Sequence, residues 1–211
     1  TPQLRGSLGT GKSLSFVRPF MEAIRLREAA RREYRDPVPF LRRLRIIEHR
    51  LLVESVTAEV RSLRTNRLKE WREARLGALF CHGMSRRTGR KVYLSKGEFE
   101  DADFVGMWLD DDVQHFAPVQ IKELVSEERN AQATLDALVQ GLSRYSGRKD
   151  LTVLIHLNRH VHFNPESLVL PPRLPIAALW FLACTDPTHS EWVIWGNFLE
   201  QAEGTSFAYP V

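Results

Sequence analysis

The chain of 211 residues has the hydrophobic share (43%) and charged share (27%) of a globular protein, which excludes wholesale disorder and leaves room for one domain with an appendage. Its longest apolar run, IAALWFLAC at 176–184, is nine residues, well short of the ~20 that a membrane-crossing helix needs. The formal charge of +4 hides an asymmetry: residues 1–100 hold 23 Lys and Arg against 11 Asp and Glu, and the remainder 7 against 15. The basic clusters of the first half, RLREAARREYR and RTNRLKEWREAR, suit phosphate neutralisation, which counterion release would drive.

Residues 1–15 are rich in Gly, Ser and Thr and read as a lead-in; 5–16, RGSLGTGKSLSF, carry the spacing of a phosphate-binding loop at Gly6, Gly11, Lys12 and Ser13. Such a loop needs a buried strand before it and a helix after it. The preceding TPQLR is no apolar strand and Pro19 interrupts the segment where the helix should run, so nucleotide binding is the weaker expectation. The opening shows no basic-then-apolar export signal, and two cysteines make no disulfide framework. A reducing cytoplasmic setting is expected.

Helical composition spans Phe16 to Tyr34, and DPVPF at 36–40 breaks it. A second helix is predicted from Leu41 into the sixties, with Leu44, Ile47, Leu51, Val56, Val60 and Leu63 on one face. RTNRLKEWREARLG continues it or opens a third helix ending near Gly77. Residues 1–40 are thus expected to be a flexible and helical extension, and 41–211 an α/β domain. After Gly77 the pattern turns extended: GALFCHGM, KVYLS, ADFVGMWL and APVQIKELV read as strands of a meander. A helix over 130–145 and the apolar strand LTVLIHLN at 151–158 imply a crossover to a parallel neighbour. AALWFLACT and EWVIWGNF flank DPTHS as a closing hairpin. The expected fold class is α/β, a mixed sheet flanked by helices with an N-terminal helical extension.

Chemistry concentrates on two of these strands. Alternation sends Gln120 and Lys122 to one face while Val119 and Ile121 point to the other. A Lys on a mostly buried strand needs an anionic partner, and Asp103 at the head of DFVGMW is equally uncomfortable without a cation. Asp103, the Gln120 side chain, the Ile121 carbonyl and waters would form an oxygen-rich site suited to Mg²⁺, with Lys122 aiding an attacking water. Cys81-His82, and Cys184 with His189, lack structural zinc spacing. His156, His160 and His162 cluster at a strand end, and Trp180, Trp192 and Trp195 read as core or contact residues.

At Asp103 and Gln120-Ile121-Lys122 the chain resembles the PD-(D/E)xK nuclease superfamily in its QxK form, that of Mrr-like restriction endonucleases, over about residues 41–160. The resemblance implies a restriction-endonuclease-like fold and a Mg²⁺-dependent (or Mn²⁺-dependent) nuclease, a hydrolase of nucleic-acid phosphodiesters, with DNA as the expected partner. It also implies an acid on the first core helix, for which Glu54 is the choice over Glu48 and Glu59. Arg61, Arg64, Arg67, Lys69, Arg86 and Arg87 would bind nucleic acid, and a homodimer would match restriction-type enzymes that cut both strands. The chain departs from the pattern in lacking Pro before Asp103, in carrying Gln120 for the usual acid, and in spacing Gln140 and Tyr145 five apart. A catalytically inactive nucleic-acid-binding or protein-interaction module on the same fold is the alternative.

Overall fold

The computed structural model describes residues 22–53, 57, 68–145, 147–159, 164 and 168–211. The phosphate-loop spacing at 5–16 and the helical turns expected over 54–63 lie outside the described residues. Helix α1 spans Ala23–Ala30 and α2 Pro37–Val53. The second helix starts at Pro37 and not near Leu41: Pro37 and Pro39 occupy its first turn, where a missing N–H costs nothing, and the Asp36 carboxylate accepts from the Val38 N–H at 2.9 Å, the capping role expected of it.

Helix α3 (Lys69–Thr88) overturns part of the strand assignment, because GALFCHGM belongs to it. Gly77 is not a stop: it lets the helix press onto the sheet, where a Cβ would stand only 3.1 Å from the Phe104 ring. The helix ends instead at Gly89, whose φ of 71° is the left-handed conformation that favours glycine, with its N–H donating to the Ser85 carbonyl at 3.0 Å. On its buried face Leu76, Leu79, Phe80 and Met84 meet Leu94, Phe104, Trp180 and Phe207.

Among the described residues seven strands follow: β1 (Val92–Phe99), β2 (Ala102–Asp110), β3 (Val113–Leu124), β4 (Arg148–Leu157), β5 (Ile176–Cys184), β6 (Glu191–Gly196) and β7 (Glu203–Ala208). They form one sheet in chain order. β3, β4 and β5 are parallel in the centre, and antiparallel pairs flank them on both sides. The crossover between β3 and β4 contains helix α4 (Leu135–Gln140) and a 3-10 turn (Gly141–Arg144). The Thr134 hydroxyl caps α4 by accepting from the Ala137 N–H at 3.1 Å. Val139 and Leu142 seal the second core against Leu151, Val153, Ile155 and Phe181, so the central strands are covered on both faces. β7 extends the expected closing hairpin into a three-stranded unit.

Described residues of 22–40 pack onto this body. Ala29 is fully buried, Arg25 pairs with buried Asp150 at 2.7 Å, and Arg32 donates to the carbonyls of Lys96 (2.7 Å) and Gly97 (2.9 Å). Arg35 and Leu94 exchange backbone hydrogen bonds of 2.9 Å and blunt the free edge of β1.

Candidate active site at the ends of strands β2 and β3

In the β2–β3 ladder Phe104 faces Val119, which sets Asp103 abreast of Gln120. One Asp103 carboxylate oxygen accepts the Ile121 backbone N–H at 2.6 Å and the Gln120 side-chain amide. The same amide reaches the Ile121 carbonyl at 3.3 Å. Lys122 lies two residues along on the same face, its Nζ 5.6 Å from the centre of the Tyr145 ring. Asp103, Gln120 and the Ile121 backbone are thus hydrogen-bonded together, and Lys122 is near enough for its charge to favour the Asp103 carboxylate.

Burial pushes the Asp103 carboxyl above the usual range, while the Ile121 N–H, Lys122 and Lys69 pull it partly back. Glu73, one turn into α3, is pushed up by burial and by the Asp103 charge; Lys69 and Arg72 oppose both effects. The Lys69 ammonium stands 3.5 Å from the Glu73 carboxylate, an i,i+4 pair. Two partly buried carboxyls whose proton affinity is raised, Glu73 by burial and the Asp103 charge and Asp103 by burial and the Glu98 charge, lie at this end of the sheet with Lys69 and Lys122 opposing the shifts.

Among the described helix acids, Glu73 is one whose proton affinity the Asp103 charge raises. Glu54 and Glu59 lie outside the described residues. Glu48 is committed elsewhere: its carboxylate is 2.7 Å from the Arg75 guanidinium and 3.7 Å from that of Arg45. Helix α3 packs directly on β1 and β2, whereas α2 packs against α3.

The basic residues divide. Arg61, Arg64 and Arg67 lie outside the described residues, and Lys69 sits beside Glu73. Arg86 and Arg87 are at the other end of α3, about 20 Å along its axis from Glu73. Arg87 is held by the Glu203 carbonyl (3.2 Å), the Thr205 hydroxyl (3.0 Å) and the face of Trp180 (5.3 Å), a scaffold role. Arg86 is exposed there and remote from Asp103.

Other candidates do not converge on the site. Cys81 is buried under β1, and burial pushes its thiol up. Trp180 and Trp192 are core, and Trp195 is half-buried. His156 stacks on Trp192 at 6.1 Å with Nδ1 3.9 Å from Glu123; His160 and His162 lie outside the described residues.

No family model, curated protein or solved structure matches this chain. Among the described residues no three His, Cys, Asp or Glu side chains gather into a metal-holding group. Asp103, the Gln120 side-chain amide and the Ile121 carbonyl meet here, and Glu73 feels the Asp103 charge; their oxygens are of the type a hard dication takes.

Proposed function

We propose that the protein is a Mg²⁺-dependent hydrolase of nucleic-acid phosphodiesters, acting on DNA, with a restriction-endonuclease-like core. The observation that carries this reading is the meeting of Asp103 with Gln120 and the Ile121 N–H, on the strand face that also bears Lys122, within electrostatic reach of Glu73. The order of elements supports it too: a helix bearing an acid, a strand bearing Asp, a strand bearing Gln-Ile-Lys, a crossover helix and a parallel strand.

Asp103 and Glu73 hold paired negative charge at a partly dry site. When bound, Mg²⁺ would neutralise that charge and acidify a water. Lys122 would orient the water and offset the charge that builds on the phosphate. Lys69, one turn from Glu73, would hold the adjoining phosphate. Because burial keeps both carboxyls above the usual range, ionisation of the pair sets the acid limb of the activity.

One observation favours an inactive binding module instead. The Gln120 amide donates to Asp103 and satisfies the carboxylate without a cation. Cleavage separates the two readings. A supercoiled plasmid and a labelled oligonucleotide, incubated with Mg²⁺ or Mn²⁺, should be cut by the wild-type protein and not in EDTA. Lys122→Ala should cut about 100-fold more slowly or worse. No cutting by the wild-type protein, or equal cutting by the variant, contradicts the hydrolase.

A further inference from the structure

Four of the five tryptophans are buried or half-buried, and Trp71 is the exception, with 42% of its surface exposed. It is not a stray apolar side chain. Its ring stacks on Phe40 of α2, with centroids 6.0 Å apart and planes 22° from parallel. The exposed Lys96 of β1 sets its ammonium 4.8 Å from the Phe40 centroid and 5.2 Å from that of Trp71. Three elements, α2, α3 and β1, each contribute one side chain to this surface, and Trp71 is two residues before Glu73.

We propose that Trp71, Phe40 and Lys96 form a platform for an unpaired nucleobase of the substrate strand, the rings taking the base and the ammonium its adjoining phosphate. The proposal rests on the nucleic-acid reading above. An exposed aromatic face stacks on any base, which is how single strands are held without sequence preference. The charge narrows the occupant. Lys96 already supplies the cation at these rings, so a methylammonium ligand would meet like charge, and an apolar peptide would leave the ammonium without an anion. A base carrying a phosphate satisfies both parts. Residues two apart on a helix project about 200° from one another, so the platform and Glu73 lie on opposite flanks of the N-terminal end of α3. A strand crossing that end would rest a base on one flank and present a phosphodiester to the acids on the other, past Lys69.

The test is anisotropy of a labelled single-stranded oligodeoxynucleotide and of its blunt duplex, titrated with the full chain in EDTA so that nothing is cut. Trp71→Ala should weaken single-strand binding about tenfold or more, Trp71→Phe should retain most of it, and duplex binding should change less than about twofold. Lys96→Ala should lower the salt slope of single-strand binding by about one phosphate contact. Equal single-strand affinity in wild type and Trp71→Ala would overturn the platform. So would an equal loss in Trp71→Ala and Trp71→Phe, an equal loss on duplex, or no single-strand binding by the wild type. Trp71-dependent capture of a proline-rich peptide but not the oligonucleotide would also overturn it. The two proposals fail separately: cleavage that depends on Lys122 with no Trp71 effect removes only the platform, and a Trp71 effect without cleavage removes only the hydrolase.

Discussion

Asp103 and Asp186 both lie at strand ends and both accept hydrogen bonds from the neighbouring backbone, yet their carboxyls move in opposite directions. Asp186, in the turn between β5 and β6, accepts the backbone N–H groups of Thr188 (3.0 Å), Ser190 (2.8 Å) and Glu191 (2.7 Å) and the Thr188 hydroxyl. The Thr188 hydroxyl above all, then the backbone donors, bring it down to about 2. Asp103 has one backbone donor and one amide, and burial outweighs them, so its carboxyl moves up. An acid whose folded surroundings favour its charge supports the scaffold. One whose charge is held against burial is a cost to the scaffold, and such groups concentrate where charge is used.

Substitutions at the two acids should pull stability and activity apart. The largest effect is expected at the raised pair: Asp103→Asn and Glu73→Gln should each cut Mg²⁺-dependent cleavage about 100-fold or more while leaving Tm unchanged or higher at neutral pH. A fall in Tm with Asp103→Asn would show the carboxylate to be a strand clamp. Asp186→Ala should do the converse, lowering Tm in thermal unfolding at neutral pH with cleavage unchanged.

The pH dependences should be opposed as well. The Asp186 carboxyl titrates lower in the folded chain than in the unfolded one. Its contribution is therefore complete above the ordinary carboxylate range and lost as pH falls towards about 2, a slope that Asp186→Ala should flatten. Asp103 and Glu73 titrate higher in the folded chain, which then binds more protons. Their contribution favours folding at low pH and fades as pH rises from the ordinary range through their raised values. Cleavage should climb over that same interval, and Asp103→Asn should remove part of the stability slope. The smallest effect is expected at Arg86, exposed at the far end of α3, where Arg86→Ala should change cleavage less than about twofold.

The strands were legible where alternation and turn chemistry agreed. ADFVGMWL and APVQIKELV declared the hairpin, and the all-apolar LTVLIHLN declared a strand covered on both faces. The Asp103, Gln120 and Lys122 grouping follows from that register alone. The second half of α3 was hidden because Gly77 resembles a helix stop until its contact with Phe104 is seen. The apolar stripe of 41–63 drew attention to Glu48 and Glu54, but Glu48 binds Arg75 at the junction of α2 and α3. β7 was missed because EGTSFA is a half-exposed edge strand with a glycine and little apolar alternation. Trp71 could not be distinguished from a core tryptophan by spacing, since its partners Phe40 and Lys96 come from two distant elements.

The hydrolase stands or falls on Asp103 and Glu73 making one cation-binding pair, and a Mn²⁺ titration of the full chain followed by electron paramagnetic resonance addresses that pair without any cleavage step. Saturable binding by the wild type, lost in both Asp103→Asn and Glu73→Gln, is the expected result. Absence of binding by the wild type, or binding that survives in either variant, would contradict it.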